Sequence, residues 1–421
     1  MSRSFEVDRW RPLFPALERQ MDGRPAVFMD GPAGSQVPRP VIDAVAKYLG
    51  DCNANGGGLF ATSRESDALL ERAHRGVADL LGAADPDLTV FGANMTTLTM
   101  SLARALSRTW KSGDEIVLTR MEHDANFTPW VQAARDAGAT VREVAIRLND
   151  CTLDLEDFAA KLGNRTKFVA VGAASNAVGT INPIMKITGM AHAAGARVFV
   201  DAVHYAPHAL MDVAAWDCDF LVCSAYKFFG PHVGILYGRR ELLEDLPVYK
   251  LRPSSNDLPT RWETGTQCHE GIAGTLAAVD YLAAVGRGDT TGVAGNGAPG
   301  DRRSDLRRAF EEIRAYERGL AVRLTEGLEA IPSLKVWGIT DPERFAERCP
   351  TFAVTHESLT SREIAGRLAE RGIFVWHGNY YALPLTEALG LEPHGAVRIG
   401  LLHYNTAAEV DRLLGELGSL A

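Results

Sequence analysis

Basic residues are in short supply in this 421-residue chain. Its 44 lysines and arginines face 53 aspartates and glutamates, a formal net charge of -9. Nucleic-acid binding needs a basic face that displaces counterions, and a polybasic membrane contact needs clustered positive charge, so neither partner is expected. Long apolar runs are missing too. None reaches the ~18 residues of a membrane span. The start, MSRSFEVDRWRPLFPALERQ, shows no apolar core followed by a small-residue cleavage site, so no signal peptide is expected. Cysteine is sparse: six residues, at 52, 151, 218, 223, 268 and 349, with no C-x-x-C pair. Such spacing argues against a zinc site or disulfide framework, and for reduced thiols in the cytoplasm.

What the chain does have is apolar material. Hydrophobic residues make up 46% and charged residues 23%. That is enough to bury the core of two or three domains, or of one large α/β domain with an appendage. From residue 26 to 285, short apolar runs alternate with helical patterns. The runs are AVFMD (26–30), LTVFG (88–92), EIVLT (115–119), TVREVAI (140–146), KFVAVGA (167–173), RVFVD (197–201), FLVCS (220–224) and HVGILYG (232–238). Amphipathic segments such as 126–138 and 184–196 lie between them and end in glycine, a common helix stop. Strands apolar throughout and separated by helices predict a mostly parallel sheet covered on both faces. We therefore expect a large domain over 26–285. The Gly-rich, charged stretch 286–305 reads as a linker or mobile loop. A smaller α+β domain follows over 306–421, opened by a long helix near 303–330, with residues 1–25 packing on it.

Two short motifs fail on context. Gly295-Asn-Gly297-Ala-Pro-Gly300 satisfies G-x-G-x-x-G, but no strand precedes it and no helix opens at it. Ser224-Ala-Tyr-Lys227 satisfies S-x-x-K, the nucleophile motif of penicillin-recognising hydrolases, yet the chain has neither the S-D-N nor the K-T-G that accompanies it. A serine hydrolase stays an outside alternative.

Polar residues at strand ends carry more. Asn176 follows one strand, Asp201 ends the next, and Ser224 and Lys227 follow the third. Ligands of an open α/β sheet sit outside the carboxyl ends of its strands, so Asn176, Asp201, His204 and Lys227 are candidates for one crevice. A lysine just after an apolar strand and beside Tyr226, Phe228 and Phe229 would be partly desolvated. Desolvation lowers an amine pKa and makes a Schiff-base nucleophile. A nearby carboxylate would suit the pyridinium nitrogen of pyridoxal phosphate (PLP). Taken singly, each residue has a plainer reading: a solvated lysine, a helix-capping aspartate, a core histidine.

DAVHYAPH, followed 26 positions after its aspartate by CSAYKFFGPHVGILYG, resembles the class V aminotransferase family of PLP enzymes with fold type I, cysteine desulfurase-like branch. RMEHDANFTPW (120–130), ASNAVGTINP (174–183), RWETGTQ (261–267) and VRIGLLHYNT (397–406) agree in order, across roughly 25 to 415. The resemblance implies a large domain with a seven-stranded, mostly parallel sheet, and a homodimer with shared active sites. It implies that Lys227 carries the cofactor and shuttles the Cα proton, that Asp201 keeps the pyridine nitrogen protonated, and that His123 stacks on the ring. Asn176 and His204 would approach the ring hydroxyl, although the family more often has Gln at the second position. The Met95 backbone N–H and the Thr96 and Ser224 hydroxyls would hold the phosphate. Tyr226 stands beside it where desulfurases usually carry His, and Thr266 would reach the neighbouring subunit's phosphate. Arg398 matches the arginine that grips the substrate carboxylate.

One loop departs from the pattern. Desulfurases carry a mobile cysteine shortly before that arginine, in a small Gly/His-rich loop followed by Ala-x-Pro-Leu. Here the loop is WHGNYYALPL (376–385), and Tyr381 takes the cysteine's place. A phenol forms no persulfide. Trp376 replaces a basic residue common there. Asn379 and Tyr381 remain substrate-binding candidates, and Cys268 reads as an ordinary buried thiol. The resulting expectation is a PLP enzyme acting on an amino acid, favoured as a C–S lyase or other elimination without a persulfide cysteine. Transamination, epimerisation and a non-catalytic PLP-fold binding protein stay as alternatives.

Overall fold

The computed structural model describes residues 5–290 and 301–420. Apolar runs of four to seven residues build the principal sheet: β1 (Thr89–Gly92), β2 (Glu115–Thr119), β3 (Thr140–Val144), β4 (Thr166–Gly172), β5 (Arg197–Asp201), β6 (Phe220–Ser224) and β7 (Gly234–Gly238). Their order is β1-β7-β6-β5-β4-β2-β3. All neighbours are parallel except β7, which runs antiparallel to both β6 and β1. The sheet is thus mostly parallel, as expected. The reversal at β7 follows from the short turn after β6, which leaves no room for a crossover helix.

Alternation puts the side chains of β4 on two faces. Phe168 and Ala170 pack with Leu102 and Trp130 on one side, and Val169 and Val171 join Ile187 and Ile272 on the other. The helices supplying those layers are α1 (Arg39–Asp51), α2 (Ala61–Leu81), α3 (Met95–Ser107), α4 (Thr128–Ala137), α5 (Ile184–Ala193) and α6 (His269–Arg287). Both α4 and α6 stop at a left-handed glycine, Gly138 and Gly288. After it, α7 (Arg302–Glu329) starts at an Asp301 cap and crosses α6 so closely that a Cβ on Gly286 would lie 1.9 Å from the Asp305 carbonyl oxygen. Half of the expected linker, 291–300, with the whole 295–300 motif, lies outside the described residues; of the rest, 286–287 belong to α6 and 302–305 to α7.

A second sheet is antiparallel, in the order β8 (Leu334–Trp337), β9 (Thr351–His356), β11 (Ala396–Gly400), β10 (Trp376–Gly378). It packs on α7, α8 (Ser361–Glu370) and α9 (Ala407–Gly418). The run at 26–30 does not join the principal sheet. Only Val27–Phe28 pairs, in parallel with Ile373–Phe374, and Asp30 bridges to Gly400. Upstream of it, Arg11 pairs with Glu409 at 2.6 Å, and Phe14 lies edge-on to Phe229 and Tyr281. No described helix is long and apolar enough to cross a membrane.

Candidate active site

Between the carboxyl ends of β4, β5 and β6 and the strand β11 lies a cavity of about 900 Å³. It brings together Met95, Thr96, His123, Asn176, Asp201, His204, Tyr226, Lys227, Asn379, Tyr381 and Arg398. Residues from seven separate segments meet here because parallel strands deliver their ends to one edge.

Lys227 closes a 3₁₀ turn directly after β6 and is buried. Its Nζ donates to the carbonyl oxygens of Pro32 and, at 3.0 Å, Ala33. Burial, helped by the Arg398 guanidinium, brings the amine down to about 7, while Asp201 and Asp30 pull the other way. At neutral pH a large share of this lysine is the free amine, the form that attacks a carbonyl. Asp201, at the end of β5, accepts from the Val203 N–H at 2.9 Å. Burial pushes its carboxyl up to about 6, opposed by that bond and by Lys227.

A second carboxyl stands beside it. Glu122 is buried, accepting from the Thr119 hydroxyl at 2.5 Å and the Asn126 amide at 2.6 Å. Burial pushes it up to about 8, so it keeps its proton at neutral pH. Next in sequence, His123 caps a short turn, with Nδ1 accepting from the Ala125 N–H at 3.0 Å. Burial, with the charges of Lys227 and Arg398, lowers it to about 4, which leaves a neutral, flat ring.

The start of α3 forms one end of the cavity. Asn94 caps it by accepting from Thr97 N–H at 2.9 Å, and Met95 N–H donates to Ser224 Oγ at 3.1 Å. A Cβ on Gly234 would lie 2.3 Å from the Asn94 carbonyl carbon, so only glycine on β7 lets this helix start sit against the sheet. The Thr96 hydroxyl and the first-turn N–H groups make a cradle for an anion. Ser224 lies behind it, fully buried and already engaged by Met95. It lines no part of the cavity, so an acylating substrate has no path to the S-x-x-K serine.

At the opposite end, the Arg398 guanidinium is buried, 4.4 Å over the Tyr380 ring, and Nη1 donates to the Asn176 carbonyl at 3.0 Å. Its Nε has no partner, and neither have Asn176 Oδ1 and Asp30 Oδ1. Leaving such buried groups unpaired costs about 1–3 kcal/mol each, which ligand atoms arriving in the cavity would recover. Asn176 also donates to the Tyr380 carbonyl at 3.0 Å, and His204 Nε2 faces Thr351 Oγ1 at 3.0 Å. Tyr226 stacks on His232 at 4.9 Å, with Lys227 Nζ 4.8 Å from its ring.

The mouth is formed by the loop after β10. Tyr380 and Tyr381 both adopt left-handed backbone, at φ 56° and 59°. Aromatic residues there cost about 1–3 kcal/mol each and persist only where neighbours hold them. Asp124 N–H does so, donating to the Tyr381 carbonyl at 2.6 Å, as does the Asn176 bond to Tyr380. The Tyr381 ring stacks on His123 at 5.6 Å and 24°, yet 72% of the residue is exposed.

One expectation concerns a second subunit, and one meets a different geometry. Thr266 sits on an exposed loop and lines no part of the cavity of its own chain. Cys268, the cap residue just before α6, is exposed rather than buried. Several residues at the cavity are new: Asp30, Glu122, Arg362, His377 and His394. Asp30 had a signal, since it ends an apolar run just as Asp201 does. No lining residue is a cysteine.

Comparison with known proteins agrees with this arrangement. The family model for Aminotransferase class-V matches residues 27–291 and 306–413. The chain belongs to the class V aminotransferase family. Among class V relatives, a cysteine desulfurase of Pectobacterium atrosepticum is 32% identical over 98% of both chains. A probable cysteine desulfurase of a Synechocystis species is 32% identical, covering 97% of this chain and 94% of its own. In structure, the apo cysteine desulfurase of Thermococcus onnurineus superposes with a TM-score of 0.87 at 26% identity, covering 100% and 99% of the two chains. The Escherichia coli desulfurase CsdA gives 0.83 at 26%, covering 99% and 98%. The fold is therefore that of fold type I PLP enzymes, and PLP is the class V cofactor. This cavity fits it: a desolvated amine, a buried carboxyl, a flat neutral imidazole, an anion cradle and unpaired polar atoms are all present.

Proposed function

We propose that this class V enzyme eliminates a β-substituent from an amino acid, as a C–S lyase does, with no protein persulfide. The observation that carries the reading is the mouth loop, where Tyr381 stands at the cavity and no lining residue is a thiol. When bound, PLP supplies an electron sink for the charge left when a bond to Cα breaks. The chain's own residues do the rest.

Arg398, free at Nε, holds the substrate carboxylate in a planar fork, with Asn176 beside it. Lys227 holds the cofactor and, once released from it, takes the Cα proton with an amine poised near neutrality. Asp201 pairs with the ring nitrogen, while neutral Glu122 adds no competing charge. His123 covers one ring face; His204 and Asn176 approach the ring hydroxyl. Met95, Thr96 and Tyr226 surround the phosphate, with Ser224 steadying the start of α3 from behind through the Met95 N–H, and Thr266, on its exposed loop, serves the site of a second copy in a homodimer. The Tyr381 hydroxyl makes no hydrogen bond among the described residues and hands a proton to the departing group. Six free cysteines suit work in a reducing cytoplasm. The reading also keeps the division into a large domain over 26–285 and a small one over 306–421, with the strand at 27–28 lent to the small domain's side.

The test is to titrate the PLP-loaded protein with a panel of amino acids, L-cysteine included. The cofactor's visible band is followed while sulfide, pyruvate and new amino acids are assayed. Sulfide and pyruvate in equal amounts, unchanged in Cys268→Ser, support elimination. Amino-group transfer to an added keto acid would give the runner-up, transamination. A protein that takes up no PLP would refute both.

A further inference from the structure

The cavity is longer than its chemistry requires, and its outer half is built for charge of one sign. Beyond Arg398 it continues between the start of α8, the end of β10 and the loop at Pro393 and His394. Arg362, His377 and His394 line this outer part. The side chains of all three are without a hydrogen bond or ion pair among the described residues. The wall is pinned: Ser361 Oγ donates to the His394 carbonyl at 2.5 Å, and Thr360 caps α8 through a reciprocal bond with Glu363. That bond occupies Glu363, the nearest carboxylate in sequence, at the cap. The only carboxylates among the lining residues, Glu122 and Asp201, lie deep at the cofactor end. In a protein of net charge -9, the mouth of this cavity is lined by an arginine and two imidazoles and by no carboxylate. The PLP phosphate does not account for it, because the anion cradle at Met95 and Thr96 is at the other end. Such a local excess concentrates an anion against the global repulsion.

From this geometry we infer that the substrate amino acid carries a second acidic group on its side chain, received by Arg362 with His377 and His394. The inference rests on the amino-acid reading of the site. With the α-carboxylate on Arg398, the side chain runs outward past Trp376, whose half-exposed ring forms a flat wall. Arg362 offers the planar donor fork that suits a carboxylate, and the imidazoles add single donors.

A matched pair of thioethers separates this from the reading beneath it. S-carboxymethyl-L-cysteine and S-ethyl-L-cysteine are close in size and share one leaving-group chemistry, and only the first carries a distal carboxylate. Each is titrated into the PLP-loaded enzyme, with affinity read from the shift of the cofactor's visible band. The expected result is binding of the acidic thioether tighter by roughly tenfold or more, the scale of one charge-assisted pair. That ratio falls towards one in Arg362→Gln and returns in part in Arg362→Lys. It also shrinks as salt is raised, because the mouth is open to solvent. Equal affinities in the parent enzyme would overturn the second acidic group and leave the amino-acid reading standing. No band shift with either thioether, or with any amino acid of the panel, would remove both.

Discussion

The two ends of the cavity are built by opposite rules. At the floor, Lys227, Asp201 and Glu122 are buried, and each has a fixed hydrogen-bond partner. Burial there shifts all three towards their neutral forms: Glu122 keeps its proton at neutral pH, Lys227 gives its proton up in part, and Asp201 titrates just below neutrality. At the mouth, Trp376, Tyr381 and Arg362 are exposed, and Tyr381 stands on a strained backbone. The floor is chemistry that any PLP enzyme of this fold needs. The mouth is built on a loop with Tyr381 exposed, the place where the sequence departs from the pattern its resemblance implies.

Substitutions sharpen the contrast. The largest effect belongs to Lys227→Ala: the visible band of the lysine-bound cofactor disappears, and turnover drops by about 10³-fold or more, since both capture and proton transfer are lost. A band unchanged in that variant would contradict the assignment. Arg398→Ala comes next. Amino-acid binding weakens by roughly 10–100-fold, the worth of a buried bidentate pair, while PLP affinity changes little; comparing the two titrations checks it. Tyr381→Phe keeps the stack on His123 but removes the hydroxyl, so kcat for elimination falls by about 10–100-fold with PLP affinity unaltered. Equal kcat would make the ring a wall and nothing more.

The smaller effects are on stability. Glu122 is neutral in the folded protein up to about 8 but ionises near 4.5 in an unfolded chain. The folded state then binds more protons between those values, so this residue makes stability fall as pH rises from about 4.5 to 8. Glu122→Gln removes that contribution, and denaturant melts of the two proteins at pH 5 and pH 8 measure the difference. Smallest is Tyr381→Gly, which relieves the left-handed backbone. We expect a gain of about 1 kcal/mol in stability against a loss of substrate selectivity, which would show how much of the mouth's strain is kept for function.

What was legible follows the same divide. Lys227 and Asp201 could be placed because apolar strands point at them, and the strand alternation read out a mostly parallel sheet. The reversed direction of β7 was not legible: an apolar strand looks alike in both senses. Nor was the departure of 26–30 from the main sheet, since its partner, Ile373–Phe374, is nearly a chain length away. Arg362, His377 and His394 went unseen for that reason too. They meet only where α8, β10 and the 393–394 loop pack together, and no short window of sequence holds that contact. Cys268 misled because an unactivated cysteine usually behaves as a small buried hydrophobe, whereas this one stands at the exposed cap position before α6.

The segment from Val27 to Ala33 has one more consequence. It pairs with Ile373–Phe374, touches Gly400 beside Arg398, and ends in the carbonyls that hold the amine of Lys227. The entropy of closing so long a loop must be met before these contacts reward it. During synthesis, then, the lysine's lodging cannot be finished until the last strand of the chain has emerged and docked. Cofactor capture therefore acts as a stamp of completion: a chain cut short before β11 carries the lysine and the aspartate, yet has nowhere to rest the amine.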